Sequence, residues 1–272
     1  MKKYSKILLF IFISFFSVNL CAQTLTMGYR TSERLPLIAQ TPDNSGLYYD
    51  LYSTAAKKLN MQLKIIRLPK KRILEKMKEG IIDFYPGFTF TQERTKFIYF
   101  LENGISTGKD IGLSLMTFPL IKELNQLKGK RVISALGGPI SGLLSNVKGI
   151  KLNKVSRLSI KKAIDLLYYK RYEFYIYNEY SVKYYLKKNN INYIKLHPDC
   201  CGENKPMYLG FSRTSKYFKE TINPKFDEKE AISINNIPTE ISKKSIAYRF
   251  AKILNDMKEN GEIDLILNKY NK

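Results

Sequence analysis

The sequence has no tryptophan, one histidine (His197), three cysteines, and 24 acidic residues against 46 lysines and arginines. One histidine cannot build a His-rich metal centre, and three cysteines cannot build a dense disulfide framework. Beyond the first twenty-two residues no apolar run approaches the ~20 residues that a membrane span needs, so that part reads as soluble. What is abundant is lysine, tyrosine (20 residues) and ordinary aliphatic side chains. At 44% hydrophobic and 26% charged, the chain has the balance of one that folds around a core. Its 272 residues suffice for one large domain or two small ones.

The N-terminus reads as an address. Lys2, Lys3 and Lys6 precede an apolar stretch from Ile7 to Leu20, followed by Cys21 and Ala22. A basic start, an apolar middle and a small residue at the cut describe a secretory signal peptide. Cleavage after Ala22 would leave Gln23 first. A lipid anchor on Cys21 is a weaker reading, because Leu20 stands where such leaders carry a small residue; retention as an uncleaved anchor is the third course. Removing residues 1–22 takes three lysines and no acid from a formal charge of +22, leaving +19.

Export changes what that charge can mean. In the cytoplasm such a chain would invite a nucleic-acid reading, yet it has no zinc-finger spacing, basic zipper or RNP pattern, so no nucleic-acid partner is expected. Outside, the natural opposites are anionic lipid headgroups, acidic sugars or a charged solute. Only ten of the basic residues are arginine and the lysines are spread along every segment, so a plainly solvated lysine-rich surface accounts for much of it.

The patterning alternates strands and helices. Residues 23–29 and 62–68 read as strands, with Leu51, Ala55 and Leu59 on one helical face between them. Residues 70–79 carry Ile73, Leu74 and Met77 at helical spacing, Gly80 is a C-terminal stop, and 81–85 read as a short buried strand. Such a βαβαβ order implies a parallel, helix-covered sheet. The theme repeats: strands at 130–135, 173–178, 192–197 and 207–211, a helix start at Ser141 after Gly137-Gly138-Pro139, and a stripe of Ile160, Ala163, Ile164 and Leu167. Two helices divided by Asn260-Gly261 end the chain. Two α/β units imply two lobes with a cleft, where small ligands bind.

The segment 80–103, GIIDFYPGFTFTQERTKFIYFLEN, is specific. Through Gly80, Asp83, Gly87, Thr89, Thr91, Glu93, Arg94 and Phe100 it resembles the family 3 extracellular solute-binding proteins, the polar amino-acid class serving ABC importers. Gly46, Asp50, Pro69, Arg72, Gly129-Lys130 and the ending Lys258-Glu259-Asn260-Gly261…Tyr270 fall in the expected order. The resemblance implies a bilobal α/β, type II periplasmic-binding fold, with parallel or mixed sheets, helices on their faces and a hinge. It divides the chain into a signal peptide (1–22), lobe one (23–107 plus 209–272) and lobe two (108–208). It further implies a monomeric periplasmic receptor that captures a solute by closing and delivers it to an ABC permease, with no cofactor.

Chemistry agrees with that implication. A carboxylate in a cleft wants a planar, permanently charged, bidentate donor, which is arginine. The resemblance gives Arg94 that part, with Gly87, Phe88 and Thr89 completing the carboxylate's surroundings; a structural ion pair of Arg94 with Glu93 or Asp83 is the plain alternative. Gly138 and the following helix start would offer a second set of N–H groups from lobe two.

The departures bear on the ligand. Relatives hold the ligand's ammonium with an acid after the strand matching EFYIYN; here Asn178 stands there, with Glu179 next to it. An amide in place of a carboxylate forfeits a charge-assisted bond of about 1.5–3 kcal/mol, so an ordinary α-amino acid is in question unless Glu179 or Glu33 substitutes. Arg30, Arg34 and Lys70 could make the pocket cationic, which favours a dicarboxylate or another anionic solute; side chains pointing to water at the cleft mouth are the plain alternative. Tyr177 could stack on a ligand or pack in the core.

Cys200 and Cys201 are neighbours with no other thiol beyond the leader. An oxidising compartment presses them toward a bond with each other, although adjacent Cα atoms lie only ~3.8 Å apart. Free thiols, intermolecular pairing and a redox or metal role with His197 remain alternatives. Residues 216–240 look like an added surface loop on lobe one. Glu33, Glu102 and Glu179 are the only general-acid candidates for a dehydratase-like enzyme on this scaffold, and no convincing acid–base pair emerges, so no enzyme is expected. A ligand-sensing partner of a membrane receptor is a further reading.

Overall fold

A computed structural model describes residues 23–105, 109–136, 144–156, 158–201 and 206–270. The first sheet has the order β2-β1-β3-β10-β4 and the second the order β7-β6-β8-β5-β9. In the first, β1 (Thr24–Arg30) lies parallel to β2 (Gln62–Leu68) along its whole length and touches β3 (Phe84–Phe88) through Met27 and Phe84. Between β3 and β4 (Ile98–Glu102) lies β10 (Tyr208–Ser212), antiparallel to both. The second sheet joins β6 (Arg131–Ala135) to β7 (Lys151–Val155) and β8 (Phe174–Asn178) in parallel. There β5 (Asp110–Leu115) runs antiparallel to β8 and to β9 (Ile194–His197).

Both sheets are therefore mixed, where the βαβαβ order alone implied parallel ones. The chain leaves the first sheet after β4 and returns to it as β10. A strand entering from the other sheet is free of the crossover helix that enforces parallel pairing. The chain crosses between the sheets twice, after Glu102 and after His197, and re-enters at Asp110 and Tyr208.

Helix formation follows apolar spacing and end signals. In α1 (Leu47–Lys58) the residues Leu47, Tyr48, Leu51, Tyr52, Ala55 and Ala56 are buried on one face. After α2 (Lys70–Lys78) comes Gly80, with φ +72°, and a Cβ there would meet the Thr214 carbonyl oxygen at 2.6 Å. In the second unit, α3 (Ile160–Tyr168) is capped by the Ser159 hydroxyl, and α4 (Glu179–Lys188) by the Asn178 side chain. Ser245 caps α5 (Ile246–Glu259), and α6 (Glu262–Tyr270) follows directly. The strand expected at 81–85 begins instead at Phe84, because the N–H groups of Ile81 and Ile82 bond back to the Lys76 carbonyl. It then runs through Pro86, whose missing N–H is tolerated because β3 has by then parted from β1.

Around the first sheet Tyr52, Phe84 and Phe250 form one aromatic core, with centroids 5.2–6.3 Å apart. Residues 216–240 lie beside it, and β11 (Glu220–Ile222) pairs there with β12 (Thr239–Ile241). The second sheet packs Ile111, Leu113, Ile133, Ile164 and Leu167 on one face. On the other are Leu127, Val132, Phe174, Ile176 and the two cysteines, whose sulphurs are bonded at 2.03 Å. Gly112 makes that packing close: a Cβ there would fall 2.2 Å from Phe174 Cζ and 2.9 Å from Cys200 Sγ. Gly112→Ala is expected to cost about 1–3 kcal/mol by overpacking. Urea denaturation checks this, and an unmoved midpoint would mean that Phe174 can tilt away.

Candidate functional site

The carboxyl ends of β1, β2 and β3 lie side by side, the place where α/β sheets bind ligands. Arg30 ends β1, Lys70 opens α2 after β2, and Phe88 ends β3. Arg94 follows in a 3₁₀ turn over Gln92–Lys96, whose N-cap is Thr91. Sheet order, rather than nearness in sequence, gathers these groups.

Arg94 is held from its own loop. Its Nη1 donates to the Thr89 carbonyl at 2.7 Å and to Thr89 Oγ1 at 3.2 Å, and its guanidinium carbon lies 5.3 Å from the centre of the Phe88 ring. Among the described residues no carboxylate is within ion-pair distance of it, and none accepts a hydrogen bond from its Nε or Nη2. The plain alternative of a pair with Asp83 does not occur. That carboxylate is buried, accepting from the Thr26 N–H at 2.7 Å and the Ser215 hydroxyl at 2.5 Å, and burial pushes its pKa up.

Lys70 approaches the same ring, with its Nζ 5.5 Å from the ring centre. The Lys70 side chain keeps exposed area, yet it is crowded: its pKa falls to about 8, by desolvation first and then by the charges of Arg94, Arg30 and Arg34. The first turn of α2 holds no acid, and Lys70, Lys71 and Arg72 occupy it. Cations at a helix N-terminus oppose the helix dipole, each by about 0.3–1 kcal/mol. A local rule broken at a strand end is the mark of a functional site. Arg30 Nε donates to Ser32 Oγ at 2.7 Å, and both Arg30 and Arg34 also act on the Tyr85 hydroxyl.

Phe88 has no exposed surface, and its ring is the platform under both cations. Gly87 has φ +85°, and a Cβ there would meet Tyr48 Oη at 3.1 Å. That hydroxyl is buried and has no hydrogen-bond partner among the described residues. Sequence reasoning passed over Tyr48, whose place on α1 reads only as core.

The second sheet contributes less than expected. Asn178 Oδ1 accepts from the Ser181 N–H at 3.3 Å and its Nδ2 donates to the Lys109 carbonyl at 3.2 Å, so its side chain serves the start of α4. Glu179 pairs with Lys183 at 2.7 Å. Tyr177 stacks on Tyr175, with centroids 5.8 Å apart, and is half-buried. Gly138 and residues 1–22 lie outside the described residues. Glu102 is exposed and pairs with Lys258 at 3.2 Å, and Glu33 lies close enough to Tyr185 to raise its pKa. Of the three acids considered for an enzyme, two are thus occupied by lysines.

Contact between the two units runs through tyrosines. Tyr180 of α4 packs against the first core. Tyr270 donates to Asp50 at 3.1 Å, and its pKa is pushed up by burial and by Asp50, with Tyr184 and Tyr180 adding to the rise.

His197 is a structural residue. It is fully buried; its Nδ1 accepts from the Ile121 N–H at 2.9 Å, so Nε2 carries the hydrogen and faces Ser114 Oγ at 2.8 Å. No group of three His, Cys, Asp or Glu among the described residues could hold a metal ion, and no helix among them is long and apolar enough to cross a membrane.

Comparison with solved structures finds the same architecture. An ancestral arginine-binding protein bound to arginine superimposes with a TM-score of 0.65 at 21% identity, over 91% of this chain and 97% of that one. The GluR0 ligand-binding core of Nostoc punctiforme, in complex with L-glutamate, gives 0.64 at 16% over 90% and 98%. The amino acid ABC transporter substrate-binding protein AbpA of Streptococcus pneumoniae, bound to L-arginine, gives 0.63 at 16% over 91% and 94%. No curated protein sequence matches the chain. The sequence model of one family does match, over residues 25–272, nearly all that follows the leader-like segment. With that match and the bilobal architecture it shares with these structures, the chain belongs to the bacterial extracellular solute-binding proteins, family 3.

Proposed function

We propose that this protein is a periplasmic receptor that captures a small carboxylate-bearing solute and delivers it to an ABC permease. Residues 23–107 with 209–272 form lobe one and 108–208 form lobe two. Solute binds lobe one, and lobe two shuts over it about the two crossings. Closure must be stabilised by contacts to both lobes, since equal contact in open and closed states shifts nothing. The carrying observation is Arg94, steadied by Thr89 and Phe88 and lacking an acid partner among the described residues.

The surrounding cations refine the class. With Lys70, Arg30 and Arg34 in Coulombic range, and with Asn178 engaged by Ser181 and Lys109 and Glu179 by Lys183, the site suits a solute with more than one negative group and no ammonium. A dicarboxylate or sugar acid fits this better than the arginine held by two of the structural neighbours. A second reading, in which the same capture informs a membrane sensor, is compatible with the likeness to the Nostoc GluR0 ligand-binding core.

A thermal-shift screen tests the class. Ligand at a hundred times its Kd stabilises by about 2.7 kcal/mol, and we expect dicarboxylates or sugar acids, not neutral amino acids, to produce it. Stabilisation by neutral amino acids alone would reverse the assignment. Lys70 gives a sharper signature. An anion favours its ammonium form, so affinity is flat below pH 8 and falls as pH rises through about 8. Near pH 8, calorimetry in buffers of different ionisation enthalpy should show about half a proton taken up per ligand, and Lys70→Met should abolish that uptake.

A further inference from the structure

A second cationic surface lies far from the solute site. Lys216, Lys219, Lys244 and Arg249 line a groove of about 640 Å³ with Gln23 and Ser245. No acid lines it, all four basic side chains are exposed, and none of them forms an ion pair among the described residues. Lys216 acts on Asp83, which is buried and bonded to Thr26 and Ser215. Ser245 also caps the fourteen-residue α5, whose N-terminus adds its partial positive charge to the same hollow.

Its position suggests the occupant. Thr24 lines the groove at the start of β1 and Arg30 ends that strand at the solute site, so the two lie about 20 Å apart at ~3.3 Å per residue. Gln23, which follows the basic and apolar residues 1–22, also lines the groove. We infer that this groove docks the protein on an anionic lipid surface, with the four cations receiving phosphate headgroups while the solute site faces away. The inference stands on the groove and the chain's exit alone, and it survives if the solute class proves wrong.

Vesicle partitioning tests it, using the chain from Gln23 onward, which holds both sheets and all six helices described. Vesicles containing phosphatidylglycerol should bind the protein and vesicles of phosphatidylcholine alone should not. Each basic residue near such a surface is worth about a fivefold change in partitioning. Lys219→Gln with Lys244→Gln should therefore lose about 25-fold. The pair Lys122→Gln with Lys148→Gln, exposed on the other unit, makes the same change in net charge and should lose far less. Equal losses from both pairs would reduce the effect to diffuse charge and overturn the site. Absence of any preference for phosphatidylglycerol would do the same. A third overturning result is calorimetric binding of inorganic phosphate that the groove pair abolishes while vesicle binding stays intact, which makes the occupant a small anion.

Discussion

Arg94→Ala abolishes solute capture while the empty protein melts almost where it did before. The asymmetry follows from where the side chain makes its bonds. All of its side-chain hydrogen bonds go to Thr89, and the side chain is only half-buried, so truncation exposes the Thr89 carbonyl and part of the Phe88 ring to water and opens no enclosed cavity. Such surface changes stay within about 0.5 kcal/mol. For the ligand, losing one partner of an enclosed charged pair costs about 2–5 kcal/mol, or about 30-fold to 4,000-fold in Kd. Arg94→Lys restores the charge without the planar fork and should recover only part of the affinity. The measurement is ligand-induced thermal stabilisation followed by calorimetry; a variant that binds as tightly as the parent removes Arg94 from the site and with it the basis of the proposed function.

The second large effect concerns acid. The His197 ring is neutral in the fold because its Nδ1 must accept from Ile121, and burial holds its pKa down to about 4. In the unfolded chain it titrates near 6.5. The folded pKa lies below the unfolded one, so the stabilisation is complete above pH 6.5 and is lost as pH falls toward 4. The difference corresponds to about 3 kcal/mol. Urea denaturation at pH 7 and at pH 4.5 should reveal most of that loss. His197→Asn keeps an acceptor near the Ile121 N–H without the titration, and it should flatten this part of the profile. An unchanged slope in the variant would assign the acid sensitivity to other groups.

Much of the fold was legible locally. The stops at Gly80 and Gly261, the apolar stripe of α3 and the strand QLKIIRL each rest on rules that need only a few neighbouring residues. Strand direction was not, because β10 and β5 take theirs from crossings between sheets, which no window of sequence contains. The charged edge strand KLNKV was passed over since its exposed faces carry no alternation. At the candidate site, Arg94 stands out through its motif and the resemblance it carries, an assignment that Arg94→Ala tests. Its convergence with Lys70 depends on β2 lying beside β1, a fact of topology. Asn178 was read for charge alone, whereas its amide oxygen caps α4 and its nitrogen bonds the Lys109 carbonyl just before β5. Tyr48 and Tyr180 were hidden among twenty tyrosines, nothing in composition separating a hydroxyl at the site or between the two units from one in the core.

The placement of β10 has a consequence for how the molecule is made. The second sheet is complete within one unbroken stretch, from Asp110 to His197, whereas the middle of the first waits for residues 208–212. During synthesis and translocation, β3 and β4 therefore spend about a hundred residues with their facing edges bare, the condition in which chains stick to one another. The middle of the chain can complete its sheet before the first unit, whose parts come from both ends, so a chaperone guarding this protein has its longest task at the N-terminal segment.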